Sequence, residues 1–194
     1  SAIVGGIERA TDALRAAGHR VHLVEATEHL PQWFLAHDVD LVFNIAEGTS
    51  GAHRESHVPA ILESLGIPFT GSNSLTLALT LDKALTKQVL AAEGLSTPAW
   101  QLFTRPDAAL NPRLSFPLIV KPNREGSAKG LSRESVVWDE AALRRQVRRI
   151  DEQYHQEVLV EEFIEGTELT VGVLGNDEPQ ALPILEIDLA PCRP

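Results

Sequence analysis

The sequence predicts an α/β protein in two parts, an N-terminal parallel-sheet domain followed by an α+β unit. Three observations carry that reading. Helical segments alternate with short apolar strands as far as Ser72, which is how a parallel sheet with crossover helices is written. Pro98, Pro106, Pro112 and Pro117 then punctuate a looser stretch. From Phe116 the order becomes strand, glycine-rich loop, strand, helix, strand, acidic hinge and strand.

In chain order, residues 8–17 carry apolar or small side chains at helical spacing and stop at Gly18, and residues 19–25 alternate as a strand. Residues 28–37 predict a short helix, 40–44 a buried strand, and 53–65 a helix ending at Gly66. Ligands of doubly wound sheets sit at the carboxyl ends of strands, so the 44–51 loop is a candidate site. Residues 75–92 are helical in character, with a domain boundary near residue 80. Residues 116–122 form a buried-strand pattern and 131–137 the next strand, joined by the loop 123–130. A helix over 139–154 buries Leu143, Val147 and Ile150 at i, i+4 and i+7, which leaves Arg144, Arg145, Arg148 and Arg149 as its solvated face. Residues 157–171 are a strand, a short acidic hinge and another strand.

Composition narrows the classes. A chain of 194 residues with 43% apolar content can bury a core. A net charge of −10 argues against an extended nucleic-acid footprint, while a nucleotide site needs only a few local cations. The single cysteine, Cys192, leaves no intrachain disulfide and no CxxC metal site. Neither a signal peptide nor an apolar run of spanning length is present, so no membrane partner and a cytoplasmic location are expected. The chain starts at Ser1 without a methionine and ends at Ala190–Pro194 with no closing helix, and it reads as a piece of a longer protein.

The chemistry centres on Lys121, which ends a strand pattern and is followed at once by the glycine-rich loop. A lysine beside such a loop suits phosphate. In a Walker A loop the lysine closes the glycines and a helix follows; here it precedes them and a strand follows. Gly126 and Gly130 let backbone amides approach phosphate oxygens, and Ser127 adds a hydroxyl. Lys83 is a second cation for a triphosphate, although Lys87 lies one turn along and the two also read as ordinary helical lysines. In the hinge, Glu161, Glu162, Phe163 and Ile164 offer backbone groups and apolar walls to a planar base, the Glu162 carboxylate being solvated. His53 and His57 stand at i, i+4 without a third ligand at metal spacing, so no zinc site is assigned.

Taken in order, these segments resemble the ATP-grasp superfamily and, within it, the D-alanine–D-alanine ligase-like branch. The likeness covers Phe43-Asn44, residues 66–72, Lys83, the Lys121 strand and loop, the 157–171 hinge and residues 182–187. It implies a Rossmann-like, pre-ATP-grasp domain over 1–80, a central ATP-grasp α+β subdomain over 81–175, and the start of a C-terminal subdomain over 176–194. It also implies an ATP-dependent carboxylate–amine ligase working through an acyl phosphate, with Mg2+ and a homodimer. The substrates would be small carboxylates and amines, amino acids among them.

By the same resemblance Lys121 contacts the α- and β-phosphates, Lys83 lies across the nucleotide cleft, Glu161 faces the adenine amino group and Glu168 binds the ribose. Two departures stand out. Ala128 replaces a second serine of the loop, and Glu47 stands where the family has a histidine before Gly48, which questions D-alanine specificity. Arg54 and Glu47 are candidates for binding a substrate carboxylate and amine. The family's metal ligands and phosphate-steadying arginine fall beyond the equivalent of Pro194, so no metal ligand is expected in this chain, and the chain alone is expected to be inactive. The competing reading is a regulatory or scaffolding module that binds nucleotide without chemistry.

Overall fold

The computed structural model describes residues 2–188, so Cys192 and the chain end Ala190–Pro194 lie outside the described residues. The protein divides into two compact units, one up to Thr86 and one from Lys87. Among the described residues, no helix is long and apolar enough to cross a membrane.

The first unit contains α1 (Ala2–Ala16), α2 (Leu30–Ala36), a 3-10 turn (Arg54–Ser56), α3 (His57–Leu65) and α4 (Ser74–Leu81). Its small core joins Leu30 and Phe34 of α2 to Val58 and Leu62 of α3. Gly66 ends α3 in the left-handed region at φ 67°, as a C-terminal glycine should. The Asn73 side chain caps α4 by accepting from the Thr76 amide. Glu63 of α3 accepts from both the hydroxyl and the amide of Ser74, and those bonds, the hydroxyl's first, hold its carboxyl below the usual carboxylate range. The link is therefore present above the ordinary glutamate pKa and is lost as pH falls through the lowered one.

Two strand expectations fail here. Residues 19–25 pair with no strand among the described residues, and Leu23 stays 63% exposed. Alternation alone does not make a strand, because the extended conformation is held by a neighbour's hydrogen bonds. Residues 40–44 make one parallel bridge, Val42 to Phe69, with the Val42 amide on the Pro68 carbonyl and the Thr70 amide on the Val42 carbonyl. Val42 packs toward the core, but Leu41 and Phe43 are each 57% exposed, so this segment is buried on one side only.

The predicted helix over 75–92 is two helices. Asp82 ends α4 in an extended conformation at ψ 98°, and its carboxylate accepts from the Leu85 amide at the start of α5 (Lys83–Ala92). The division between the units falls within α5.

The second unit is built on a four-stranded sheet in the order β1-β4-β2-β3, from β1 (Trp100–Phe103), β2 (Leu118–Pro122), β3 (Val136–Val137) and β4 (Val158–Glu162). All three pairings are antiparallel, with Trp100 opposite Glu161, Ile119 opposite Glu161 and Ile119 opposite Val136. Side chains alternate across a strand, so this register fixes two faces. One carries Phe103, Leu118, Val120, Val158 and Val160, and α6 (Glu140–Tyr154) covers it with Leu143, Val147 and Ile150, each fully buried. Asp139 caps α6 by accepting from the Ala142 amide. The other face carries Trp100, Leu102, Leu159, Glu161, Ile119 and Lys121.

Only Val136–Val137 of the predicted 131–137 strand pairs. Ser132 and Ser135 cap each other reciprocally and draw Arg133–Ser135 into a 3-10 turn instead. The solvated arginine face needs correction as well. Arg145 and Arg148 are exposed, but Arg144 donates to the carbonyls of Pro106 and Ala108 and pairs with Glu140, and Arg149 donates to the Gly130 carbonyl. Beyond Glu162, β5 (Leu169–Thr170) pairs with β8 (Leu185–Glu186) and β6 (Val173–Leu174) with β7 (Gln180–Ala181), a folded-back ribbon whose residues are exposed.

The packing of α6 sets an expectation for stability. Leu143→Ala, at a site with 0% exposure, should lower the unfolding free energy by about 2–5 kcal/mol through lost burial and a residual cavity. Arg145→Ala, on the exposed face, should change it by less than about 0.5 kcal/mol. Urea titration followed by circular dichroism measures both.

Candidate functional site

On the sheet face that α6 does not cover, Glu161 of β4 is 6% exposed and lies between two lysines. Its Oε2 accepts from Lys87 Nζ at 2.7 Å, and its Oε1 pairs with Lys121 Nζ. The register explains the second contact: Ile119 is directly opposite Glu161, and Lys121 is the diagonal neighbour two residues along the same face. Lys87, 7% exposed, also donates to the Thr97 hydroxyl and to the Pro98 carbonyl at 3.2 Å. A buried carboxylate is tolerable only when paired and hydrogen-bonded, and here both oxygens are engaged. Around it on that face Leu102 and Ile119 are partly buried and Leu159 is fully buried.

Beside it runs the glycine-rich loop. Its entrance is tied to the segment before β4: the Asn123 amide donates to the Glu157 carbonyl, the Arg124 amide to the Gln156 side chain, and the Arg124 guanidinium to the Glu157 carboxylate at 2.6 Å. Its crown turns through two successive non-glycine residues in the left-handed region, Ser127 at φ 51° and Ala128 at φ 57°. L-residues there cost roughly 1 kcal/mol each, and successive residues of this kind aim amides to one side. The Lys129 amide closes back on the Gly126 carbonyl and the Leu131 amide on the Ala128 carbonyl. Gly130, at φ 81°, has no room for a side chain, since a Cβ would lie 2.5 Å from Pro122 Cγ. Arg149 of α6 holds that same residue through its carbonyl at 2.9 Å.

The hinge after β4 differs from the expectation in detail. The amides of Glu162 and Phe163 donate to the carbonyls of Ala99 and Pro117, which ties the hinge to neighbouring chain instead of leaving those two donors for a ligand. Phe163 is half-buried and Ile164 is exposed. Glu168 is exposed where the ribbon opens, and its carbonyl accepts from the Ile187 amide.

In the first unit, Lys83 begins α5 and is partly buried. Glu47 and Arg54 are brought close by backbone: Gly48, at φ 70°, lies so near Arg54 that a Cβ would be 2.4 Å from its carbonyl oxygen. No group of three or more histidine, cysteine, aspartate or glutamate residues that could hold a metal ion exists among the described residues.

The structure therefore joins Lys121, on the strand that feeds the loop, to Glu161 on the neighbouring strand. Two contributors escaped the sequence reading. Lys87 has a signal: it falls three residues after buried Ala84, on the inward stripe of its helix, where a charge demands a partner. Arg149 has none, because which of four arginines turns inward depends on where Gly130 lies.

Comparison with known proteins supplies the context. A family profile described as D-ala D-ala ligase C-terminus matches residues 89–191. D-alanine–D-alanine ligase B of Xanthomonas campestris pv. campestris is 40% identical over 181 residues, covering 91% of this chain and 55% of that protein. Among solved structures, the ATP complex of Bacillus anthracis D-alanine–D-alanine ligase superposes with a TM-score of 0.69 at 31% identity, over 89% of this chain and 56% of that one. VanG D-Ala:D-Ser ligase from Enterococcus faecalis gives a TM-score of 0.65 at 32% identity, over 78% and 44%. The chain spans about half the length of the curated relatives it matches.

The Gly130 contacts define a test. Gly130→Ala should destabilise the second unit by about 1–3 kcal/mol, from strain at positive φ and overlap with Pro122. Gly166→Ala, where nothing lies within 4 Å, should be near neutral. Thermal unfolding of the two variants separates them.

Proposed function

This chain belongs to the family described as D-ala D-ala ligase C-terminus, and on that premise we propose that it contributes the nucleotide grip of an ATP-dependent carboxylate–amine ligase. The reaction would phosphorylate a small carboxylate and let an amine displace the phosphate, giving an amide with ADP and phosphate released. The observation that carries this reading is the Lys87–Glu161–Lys121 cluster beside a glycine loop. It sets a carboxylate acceptor and a cation on one apolar sheet face.

The roles follow from chemistry. Glu161 accepts from the exocyclic amino group of adenine, which guanine lacks at that position. Leu102 and Ile119 with Phe163 and Ile164 give the base apolar surfaces. Lys121 meets phosphate oxygens, and the amides of Gly126, Ser127 and Gly130 with the Ser127 hydroxyl line the loop side. Glu162 contributes backbone, Glu168 takes the ribose hydroxyls, and Lys83 is a second phosphate cation. A magnesium ion bound with the triphosphate supplies charge neutralisation, and no residue within 2–188 is assigned as its ligand.

The division into a Rossmann-like domain over 1–80, a central subdomain over 81–175 and the beginning of a catalytic subdomain from 176 is part of the same proposal. The single parallel bridge at Val42 and the mixed helix-and-sheet likeness to ligase structures support it. Glu47 and Arg54 are the candidates for the carboxylate and amine substrates, amino acids among them, and Glu47 in place of the family histidine argues for a substrate other than D-alanine. A cytoplasmic location and a homodimer belong with this reading. The ligase relatives favour an enzyme over a module that holds nucleotide without chemistry.

Two measurements test the site. Lys121→Met should leave the unit folded, since Glu161 keeps Lys87, and weaken ATP binding about tenfold or more, the worth of one charged hydrogen bond. Unchanged affinity by calorimetric titration would refute the phosphate role. Glu168→Gln should weaken ATP more than 2′-deoxy-ATP, because only the former has both hydroxyls to lose; equal losses would place the ribose elsewhere.

A further inference from the structure

We propose that Lys87 is the fixed counter-ion of Glu161, a positioning residue that frees Lys121 to leave that carboxylate for the phosphates of a bound nucleotide. The inference rests on the nucleotide reading above and explains why one carboxylate holds two lysines. An ammonium has three donors, and for Lys87 the structure gives three fixed acceptors: Glu161 Oε2 at 2.7 Å, the Pro98 carbonyl at 3.2 Å and the Thr97 hydroxyl. Its side chain is 8% exposed, and nothing in that arrangement has cause to move when a ligand arrives. Lys121 differs. Its side chain is 21% exposed, it lies one residue before the end of β2 where the glycine loop begins, and it holds the other oxygen of the same carboxylate.

The two lysines therefore divide the work. When phosphate reaches the loop, Lys121 can exchange one oxyanion for another at little cost, provided the carboxylate it leaves is not stranded. A buried charge whose partner is withdrawn is strongly unfavourable. Lys87 removes that penalty, because Glu161 stays paired throughout. It also keeps the carboxylate aimed, so that Glu161 still offers an acceptor to the amino group of the base when Lys121 has gone. Without Lys87, Glu161 would hold Lys121 back, and phosphate binding would have to break the last buried ion pair.

The consequence is selective for phosphate. Adenosine has none, so Lys121 stays on Glu161 when it binds, and Lys87 should hardly matter. ATP draws Lys121 away, and Lys87 should matter greatly. The experiment is calorimetric titration of ATP and of adenosine into the wild-type chain, Lys87→Met, Glu161→Gln and the double variant. Lys87→Met should weaken ATP about thirtyfold, the scale of stranding one buried charge, and leave adenosine little changed. In the Glu161→Gln background the same substitution should cost neither ligand anything, because no charge remains to strand.

The outcomes separate the two levels of the argument. If the wild-type chain binds neither ligand, the nucleotide reading itself falls. If it binds ATP but Lys87→Met weakens ATP and adenosine alike, or weakens ATP equally with and without the Glu161 charge, the counter-ion role is wrong while the nucleotide site stands. Should Lys87→Met fail to fold, Thr97→Val takes its place. It removes the hydroxyl that holds the Lys87 ammonium, and an ATP-selective loss supports the role where no loss or an equal loss overturns it.

Discussion

Everything on the sheet face that α6 does not cover depends on one constraint, a glutamate charge buried at Glu161. A carboxylate at 6% exposure needs both oxygens satisfied, and stranding it would cost about 3–5 kcal/mol, a large part of a small domain's stability. That requirement reaches into three elements. It fixes Lys87 on α5, since that helix must present a lysine inward where Ala84, three residues before it, is apolar and buried. It fixes the register of β2 on β4, because a one-residue slip would send Lys121 to the α6 side, among Val160 and Leu143. It also fixes the 97–98 turn, whose hydroxyl and carbonyl complete the ammonium shell.

The opposite face gives the sheet the stiffness that such a cluster needs. Leu143, Val147 and Ile150 press on Val120, Val158 and Val160, so the strands bearing Lys121 and Glu161 are held from behind by close-packed aliphatic side chains. The same helix reaches round to the loop, where Arg149 grips the Gly130 carbonyl while Pro122 fills the space a side chain would take. One helix thus supports both the charged face and the loop beside it. Positive φ at Ser127 and Ala128 is sustained because both ends of the loop are tied, at Gln156 and Glu157 on one side and at Arg149 on the other.

How much of this the sequence disclosed follows the range of the interactions. The α6 stripe and the glycine stop at Gly66 are local, and periodicity or a single residue type writes them plainly. The strand at Lys121 was legible because apolar run, lysine and glycine loop are adjacent. The strands expected over 19–25 and 40–44 were misread, because a strand is completed by its neighbour: among the described residues 19–25 has none, and 40–44 has only the bridge at Val42. The break at Asp82 needed a cap to be preferred over a continuous helical pattern. The Lys87 contact joins residues far apart in sequence; position on a helical stripe could hint at it, but only the fold names Glu161 as its partner.

The central claim is that an adenine nucleotide lies on this face and draws Lys121 from Glu161 while Lys87 stays. A crystal structure of the chain with a non-hydrolysable ATP analogue tests it most directly. The account predicts the base against Ile119 and Phe163 with its amino group on Glu161, Lys121 on phosphate oxygens, and Lys87 still within hydrogen-bond distance of Glu161, Pro98 and Thr97. A nucleotide bound elsewhere, with Lys121 still paired to Glu161, would contradict it.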